Sequence, residues 1–180
     1  MNELVREYGG ALFELADDEG LSREILDETR AIRDIFGRDS DYVRLLASPT
    51  IPAEERVKTV GEAFDGKVNA FISSFIKMMT ERGYARYIGD SFYEYERRYN
   101  EKNNISVVSV KSAVELTDAQ KAALSEKLGE KTGKNIELYC SVDKSLIGGI
   151  SVYVDGKLYD GSVSAHIEKL RRSLYGITLN

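Results

Sequence analysis

The sequence is short of the residues that most often carry chemistry. It holds one cysteine, one histidine and two prolines among 180 residues. With Cys140 alone there is no internal disulfide, and a reducing compartment is the natural expectation. One cysteine and one histidine also fail to supply a Cys/His metal cluster. No run approaches the roughly 18–20 apolar residues that a membrane-spanning helix needs. Nor is there a basic excess: the net charge is −5, which argues against a general nucleic-acid binder. The N-terminus, MNELVREYGG, is acidic and amphipathic, and is expected to be neither a secretory signal nor a basic transit peptide.

What is present is pattern. Hydrophobic residues make up 42% of the chain, enough for a core. Up to about residue 104 the period is helical. Leu4, Tyr8, Ala11, Leu12 and Leu15 share one face of a first helix. Ser22 is expected to cap a second, with Ile25, Leu26, Ile32 and Phe36 inward. A short third holds Tyr42, Leu45 and Leu46. Pro49 then breaks the helix, and Pro52 suits the first turn of a fourth helix that buries Val57, Val60 and Phe64. A fifth, from about Lys67 to Arg82, carries Val68, Phe71, Ile72, Phe75, Ile76 and Met79, with Gly83 as its stop. A sixth starts near Tyr84, places Tyr87, Ile88, Phe92, Tyr95 and Tyr99 along one side, and ends in the polar run ERRYNEKNN.

After Asn104 the period becomes two. ISVVSV reads as a strand. Thr117 to Gln120 form a capping box for a helix with Leu124 and Leu128 inward and Gly133 at its end. Ile136, Leu138, Cys140 and Val142 alternate along a second strand. GISVYV and KLYD flank Asp155-Gly156, a strong hairpin signal. Ser162 can cap a last helix, in which Val163, Ile167, Leu170 and Leu174 recur at helical spacing. The expectation is a helical bundle over residues 1–104, followed by a small α/β domain over 105–180 with a β-hairpin and a C-terminal helix. Residues 1–104 carry a net −6 and residues 105–180 a net +1.

Candidate chemistry is sparse. His166, near the start of the last helix, reads as a surface or packing residue. Cys140 alternates with core positions and is expected to be a buried, inert thiol. GEKTGK at 129–134 falls short of a phosphate loop. Leu128 stands where the first glycine belongs, and Asn135 where a Ser or Thr would meet magnesium. No acid, base and nucleophile converge in the sequence, so an enzyme is not expected. Two features remain open. Gly9-Gly10 inside the first helix is either a tolerated weakness or a point of close approach by another helix. Gly148-Gly149 either shapes a chain turn or forms an anion-binding nest, although no Lys or Arg pattern completes the nest.

Several segments together resemble one family. YGGALFELA resembles the Tyr-Ala-x-Ala-Leu opening of the ATP synthase delta subunit, the oligomycin-sensitivity-conferring protein of mitochondria. LLASPTIPAEERVKTV resembles its Leu-x-x-Pro-x-Ile segment. VNAFISSFIKMMTERGYARYI resembles its Asn-x-Phe helix and the turn that follows, and KSAVEL its Ser-Ala-x-x-Leu. VDKSLIGGISVYVDGKLYDGSV is similar to its C-terminal signature nearly throughout. The pieces occur in the family's order along the whole chain, with Gly9 departing from the usual alanine.

The resemblance implies a non-catalytic subunit of the peripheral stalk, or stator, of the F-type ATP synthase. It implies that the N-terminal domain holds the N-terminal segments of alpha subunits in a groove between the first and fifth helices. The candidates there are Tyr8, Ala11, Leu12 and Leu15, with Phe71, Ile72, Phe75, Ile76 and Met79. It implies that the C-terminal domain holds the ends of the stalk b subunits, with Leu146, Ile147, Gly148, Gly149, Asp160, Gly161 and Ser162 as the motif that shapes or meets that contact. One copy per synthase is implied, peripheral on the cytoplasmic face of a bacterial membrane. No cofactor, metal, nucleic acid or membrane insertion is implied. The alternative is a free-standing two-domain interaction adaptor of another complex.

Overall fold

A computed structural model describes residues 2–154 and 156–177, with side chains placed for all of these except 170 and 172–177. It is a mixed structure of helices and one four-stranded sheet. The chain divides into two compact units, Met1–Glu101 and Lys102–Asn180.

The first unit is helical. It comprises α1 (Glu3–Asp18), α2 (Ser22–Arg38), α3 (Ser40–Leu46), α4 (Ala53–Phe64) and α5 (Ala70–Glu81). A 3-10 turn at Ala85–Tyr87 then leads into α6 (Ile88–Lys102). Asn2, Asp39 and Asn69 accept backbone N–H bonds at the starts of α1, α3 and α5. Their side chains thereby satisfy donors that a first turn leaves unpaired. Ser22 is not the cap expected of it: Leu21 occupies that position without a side-chain bond, and Ser22 is the first helical residue. Pro52 likewise sits just before α4 rather than in its first turn. α5 is shorter than its apolar pattern suggests, because the Asn69 cap delays its start. At its other end Gly83, at φ 77°, lets the Tyr84 N–H reach back to the Met79 carbonyl at 2.7 Å.

The core of this unit gathers Ile25, Leu26, Leu46, Val60, Ile72, Ile76, Met79, Ile88, Phe92 and Tyr95, all essentially inaccessible. Leu45 and Tyr87 are exposed. α1 carries apolar residues on two faces. Its buried face is Val5, Leu12, Phe13 and Ala16, whereas Ala11 and Leu15 are exposed and Leu4 and Tyr8 half-buried. The helix has two apolar stripes, and only one of them meets the core.

The Gly9 question has a geometric answer. A Cβ at Gly9 would lie 2.4 Å from the Ser91 carbonyl oxygen and 2.8 Å from Glu94 Cβ. α1 and α6 approach so closely that only glycine fits between them. Glu94 itself is fully buried and accepts bonds from Arg97 Nε at 2.7 Å and Arg98 Nε at 3.1 Å. Those bonds, Arg97 first, hold its carboxyl below the ordinary range despite burial. Arg56 is another buried charge. Its guanidinium donates to the carbonyls of Leu46 at 2.7 Å, Thr80 at 3.2 Å and Ile51 at 3.1 Å. It thereby fixes the proline-containing loop between α3 and α4.

The second unit is built on β1 (Ile105–Ser112), α7 (Asp118–Thr132), β2 (Asn135–Val142), β3 (Ile150–Val154), β4 (Lys157–Asp160) and α8 (Val163–Ile177). The sheet order is β2-β1-β3-β4. β1 and β2 run parallel, which requires the α7 crossover, with Val110 opposite Cys140. β3 pairs antiparallel with both β1 and β4. Asp155, in the expected hairpin turn, lies outside the described residues; Gly156 has φ 79°. Thr117 and Gln120 form the reciprocal capping box, and Gly133 closes α7 at φ 68°. The GEKTGK segment is therefore a helix end and turn.

Val108, Val110, Val152 and Val154 form the sheet core, with Leu116, Leu124, Leu128, Ile136, Leu138 and Ile150 packed against it. Cys140 is exposed, contrary to expectation, and so is Val142. β2 is an edge strand, and cover from the core ends after Leu138. Val163 and Ile167 of α8 are also exposed. The Leu170 and Leu174 side chains lie outside the described residues.

Candidate functional site

The second stripe of α1, in which Ala11 and Leu15 are exposed, Tyr8 half-buried and Leu12 buried, is one wall of a groove. Tyr8, Ala11, Leu12 and Leu15 face Phe71, Ser74, Phe75 and Met78 of α5 across a recess of about 340 Å³. Both helices are apolar on more than the face that meets the core, and the surplus is what lines the groove. Leu15 is 44% exposed. Phe75 is mostly core, 6% exposed, with its ring 5.5 Å from that of Phe92. At one end, Tyr8 accepts a hydrogen bond from Arg82 Nη1 at 2.6 Å, and its ring lies 6.1 Å from that of Tyr84. That polar and aromatic contact fixes the Tyr8 ring at the mouth of the groove.

Of the nine residues expected here, the groove gathers Tyr8, Ala11, Leu12, Leu15, Phe71 and Phe75. Ile72, Ile76 and Met79 do not belong to it. All three are fully buried, because they sit about 100° around α5 on the side that packs into the core. Ser74 and Met78 line the groove and were missed. Their signal was the spacing from Phe71 through Phe75 to Arg82, one stripe of a helix that is apolar nearly all round.

In the second unit the LIGG and DGS segments interlock. The Gly148 carbonyl accepts from Val163 N–H at 2.9 Å, and the Ile150 carbonyl from Gly161 N–H at 3.0 Å. Gly149 has φ 78°, and a Cβ there would fall 2.4 Å from the Gly161 carbonyl oxygen. Ser162 is fully buried. Its hydroxyl accepts from Ala165 N–H at 3.1 Å, capping α8, while its own N–H donates to Asp160 Oδ1 at 2.9 Å. The Ser162 hydroxyl and N–H together hold Asp160 below the usual carboxylate range. These glycines serve chain packing, and no anion-binding nest is needed to explain them. Leu146 and Ser162 are buried, so they shape the surface rather than belong to it.

Ile147 is the exception. It has φ 64° and ψ −40°, and Gly148 N–H donates to the Leu146 carbonyl at 2.7 Å. That is a γ-turn of the strained hand, with a β-branched residue at its centre. Its side chain is 70% exposed. Val163, which packs on Gly148, and Ile167 one turn later are exposed apolar residues of α8. A separate recess of about 340 Å³ opens between α7 and the β3–β4 ladder, lined by Leu128, Val152, Val154 and Tyr159 and edged by Lys131 and Lys157.

Among the described residues no group of three or more His, Cys, Asp or Glu is placed to hold a metal ion. No described helix is long and apolar enough to cross a membrane. The surface features that stand out are apolar and concave or strained, as interaction surfaces are.

The sequence model described as "ATP synthase delta (OSCP) subunit" matches residues 4–174. The chain belongs to that family. The ATP synthase subunit delta of Prochlorococcus marinus (strain MIT 9301) is 32% identical over 178 residues, covering 97% of each chain. That of Clostridium botulinum (strain 657 / Type Ba4) is 31% identical over 171 residues, covering 95% of this chain and 96% of its own. The fold resembles a chain of the Toxoplasma gondii mitochondrial ATP synthase hexamer, with a TM-score of 0.72 over 97% of this chain and 98% of that one, at 14% identity. As a delta-family member, this chain has an interlocked C-terminal signature and a groove between α1 and α5.

Proposed function

We propose that this chain is the stator subunit of an F-type ATP synthase. A six-helix N-terminal bundle grips the catalytic head through N-terminal segments of alpha subunits. The C-terminal domain holds the ends of the b subunits that run to the membrane. Between them they resist the torque of the rotor, so that ion flow through the membrane sector drives ATP synthesis rather than idle rotation of the head. The subunit works by binding alone, as one peripheral copy per synthase on the cytoplasmic face of a bacterial membrane.

The observation that carries this reading is the α1–α5 groove. An apolar trough on an acidic helical unit suits the apolar face of an amphipathic helix. Family membership makes an alpha segment the natural occupant. Ile147, with Val163 and Ile167, supplies a second apolar surface on the other unit for the b ends. Strain kept at an exposed residue is typical of a binding position.

The experiment is a calorimetric titration of the full chain with a peptide copying the first ~20 residues of the partner alpha subunit. The wild type is expected to bind and the peptide to become helical. Leu15→Asp should abolish binding without lowering the melting temperature, because Leu15 is exposed. A wild-type chain that ignores the peptide at near-millimolar concentration contradicts the reading.

A further inference from the structure

The groove is flanked unequally. Glu3, Glu7, Glu14 and Asp18 recur along α1 at spacings of four, seven and four residues. That rhythm puts them on one edge of the helix, beside the stripe that lines the groove. All four are exposed. Glu14 meets Arg98 at 3.3 Å, a contact open to solvent. The α5 edge is different. Ala70 and Ser74 are small and uncharged, Lys77 is bound to Asp65 at 2.6 Å, and Glu81 at the C-terminal end is its one exposed acid. One bank of the groove therefore carries four acids along its whole length and the other a single acid at its end.

We propose that the occupant of this groove is an amphipathic helix with a basic flank, seated so that its Lys or Arg residues lie over the Glu3–Asp18 edge of α1. This rests on the function proposed above and adds to it the rotational setting of the bound helix. Burial of the apolar face supplies most of the affinity, and the acidic bank selects which flank turns toward α1. Reversing the helix direction with its apolar face still down would carry the basic flank to the α5 side and forfeit the attraction. The bank thus selects direction as well as rotation. A second copy of this chain packed antiparallel, groove to groove about a two-fold axis across the helices, would set one acidic edge against another.

The test uses the full chain with Glu7→Lys and Asp18→Lys together, titrated with the alpha-derived peptide at low and at physiological salt. Its control is Glu126→Lys with Glu130→Lys on α7, which changes net charge equally in the other unit. The double α1 variant should bind about tenfold more weakly at low salt, and its affinity should depend little on added salt. The α7 control should match the wild type. A peptide with its flank bases changed to Glu should recover affinity for the α1 variant. Equal loss in the control, or no loss in the α1 variant while the wild type binds, overturns the proposal and leaves the groove reading standing. Failure of the wild type to bind at all overturns both. Sedimentation of the wild type as a dimer that Leu15→Asp dissociates would make a second copy the occupant and overturn it as well.

Discussion

The paired glycines at 148 and 149 are adjacent in sequence but should differ sharply in tolerance. At Gly149 an alanine meets two obstacles. Its φ of 78° costs a residue with a side chain about 1–2 kcal/mol. Its Cβ would also stand 2.4 Å from the Gly161 carbonyl oxygen, and that atom belongs to backbone that cannot swing aside. Moving Gly161 strains its bond to Ile150 and the neighbouring bond from Val163 to Gly148, each contributing about 1 kcal/mol. The total for Gly149→Ala is about 2–4 kcal/mol. At Gly148 the Cβ would meet only the Val163 side chain, nearest at Cγ2, 3.1 Å, and Val163 is partly exposed and can yield. The reduced freedom of the unfolded chain returns about 0.4–1 kcal/mol. Gly148→Ala should therefore cost under about 1 kcal/mol. Hydrogen exchange of the full chain, read by mass spectrometry, separates the two units. Gly149→Ala should lower protection in β1 to β4 by about 30- to 1,000-fold and leave α1 to α5 unchanged. The reasoning is refuted if Gly148→Ala is the more damaging, or if the loss spreads evenly through both units.

Arg56→Ala should destabilise the helical unit by about 2–4 kcal/mol, since it strips donors from three carbonyls around a buried site; chemical denaturation followed by circular dichroism measures it. Glu94→Gln should cost about 2 kcal/mol near neutral pH by weakening a buried ion pair. The folded Glu94 carboxyl titrates below its ordinary range, so its stabilisation is present above the unfolded value and lost as pH falls through the folded one. The difference in melting temperature between wild type and variant should shrink from about pH 7 to about pH 3, and a constant difference would contradict this. Ile147→Gly should raise the stability of the second unit by about 1 kcal/mol through relief of the γ-turn, read by the same exchange experiment, while weakening capture of a fragment carrying the far end of the stalk b chain.

The mixed fold and most element boundaries were legible because local rules and burial agreed. The capping box at Thr117, the Gly83 and Gly133 stops, and the alternation in ISVVSV each had a single physical reading. The errors arose where one sequence pattern served two surfaces. On α1 and α5 the apolar residues outnumber the core positions, and periodicity cannot say which stripe faces inward. Leu12 and Leu15 look alike in sequence, yet one is buried and the other exposed. Cys140 and Val142 kept the strand alternation but lost their cover, because strand order places β2 at an edge. The glycine motif announced unusual backbone. That Ile147, and not Gly148, takes a positive φ depends on a turn geometry that composition does not encode.

The central claim is mechanical coupling, and add-back to depleted membranes tests it most directly. Synthase-containing membranes stripped of this protein should hydrolyse ATP without pumping ions. Adding the full wild-type chain should restore ATP-driven pumping, whereas the Leu15→Asp chain should not. Pumping that persists at full strength without the protein, or that Leu15→Asp restores as well as wild type, would contradict the account.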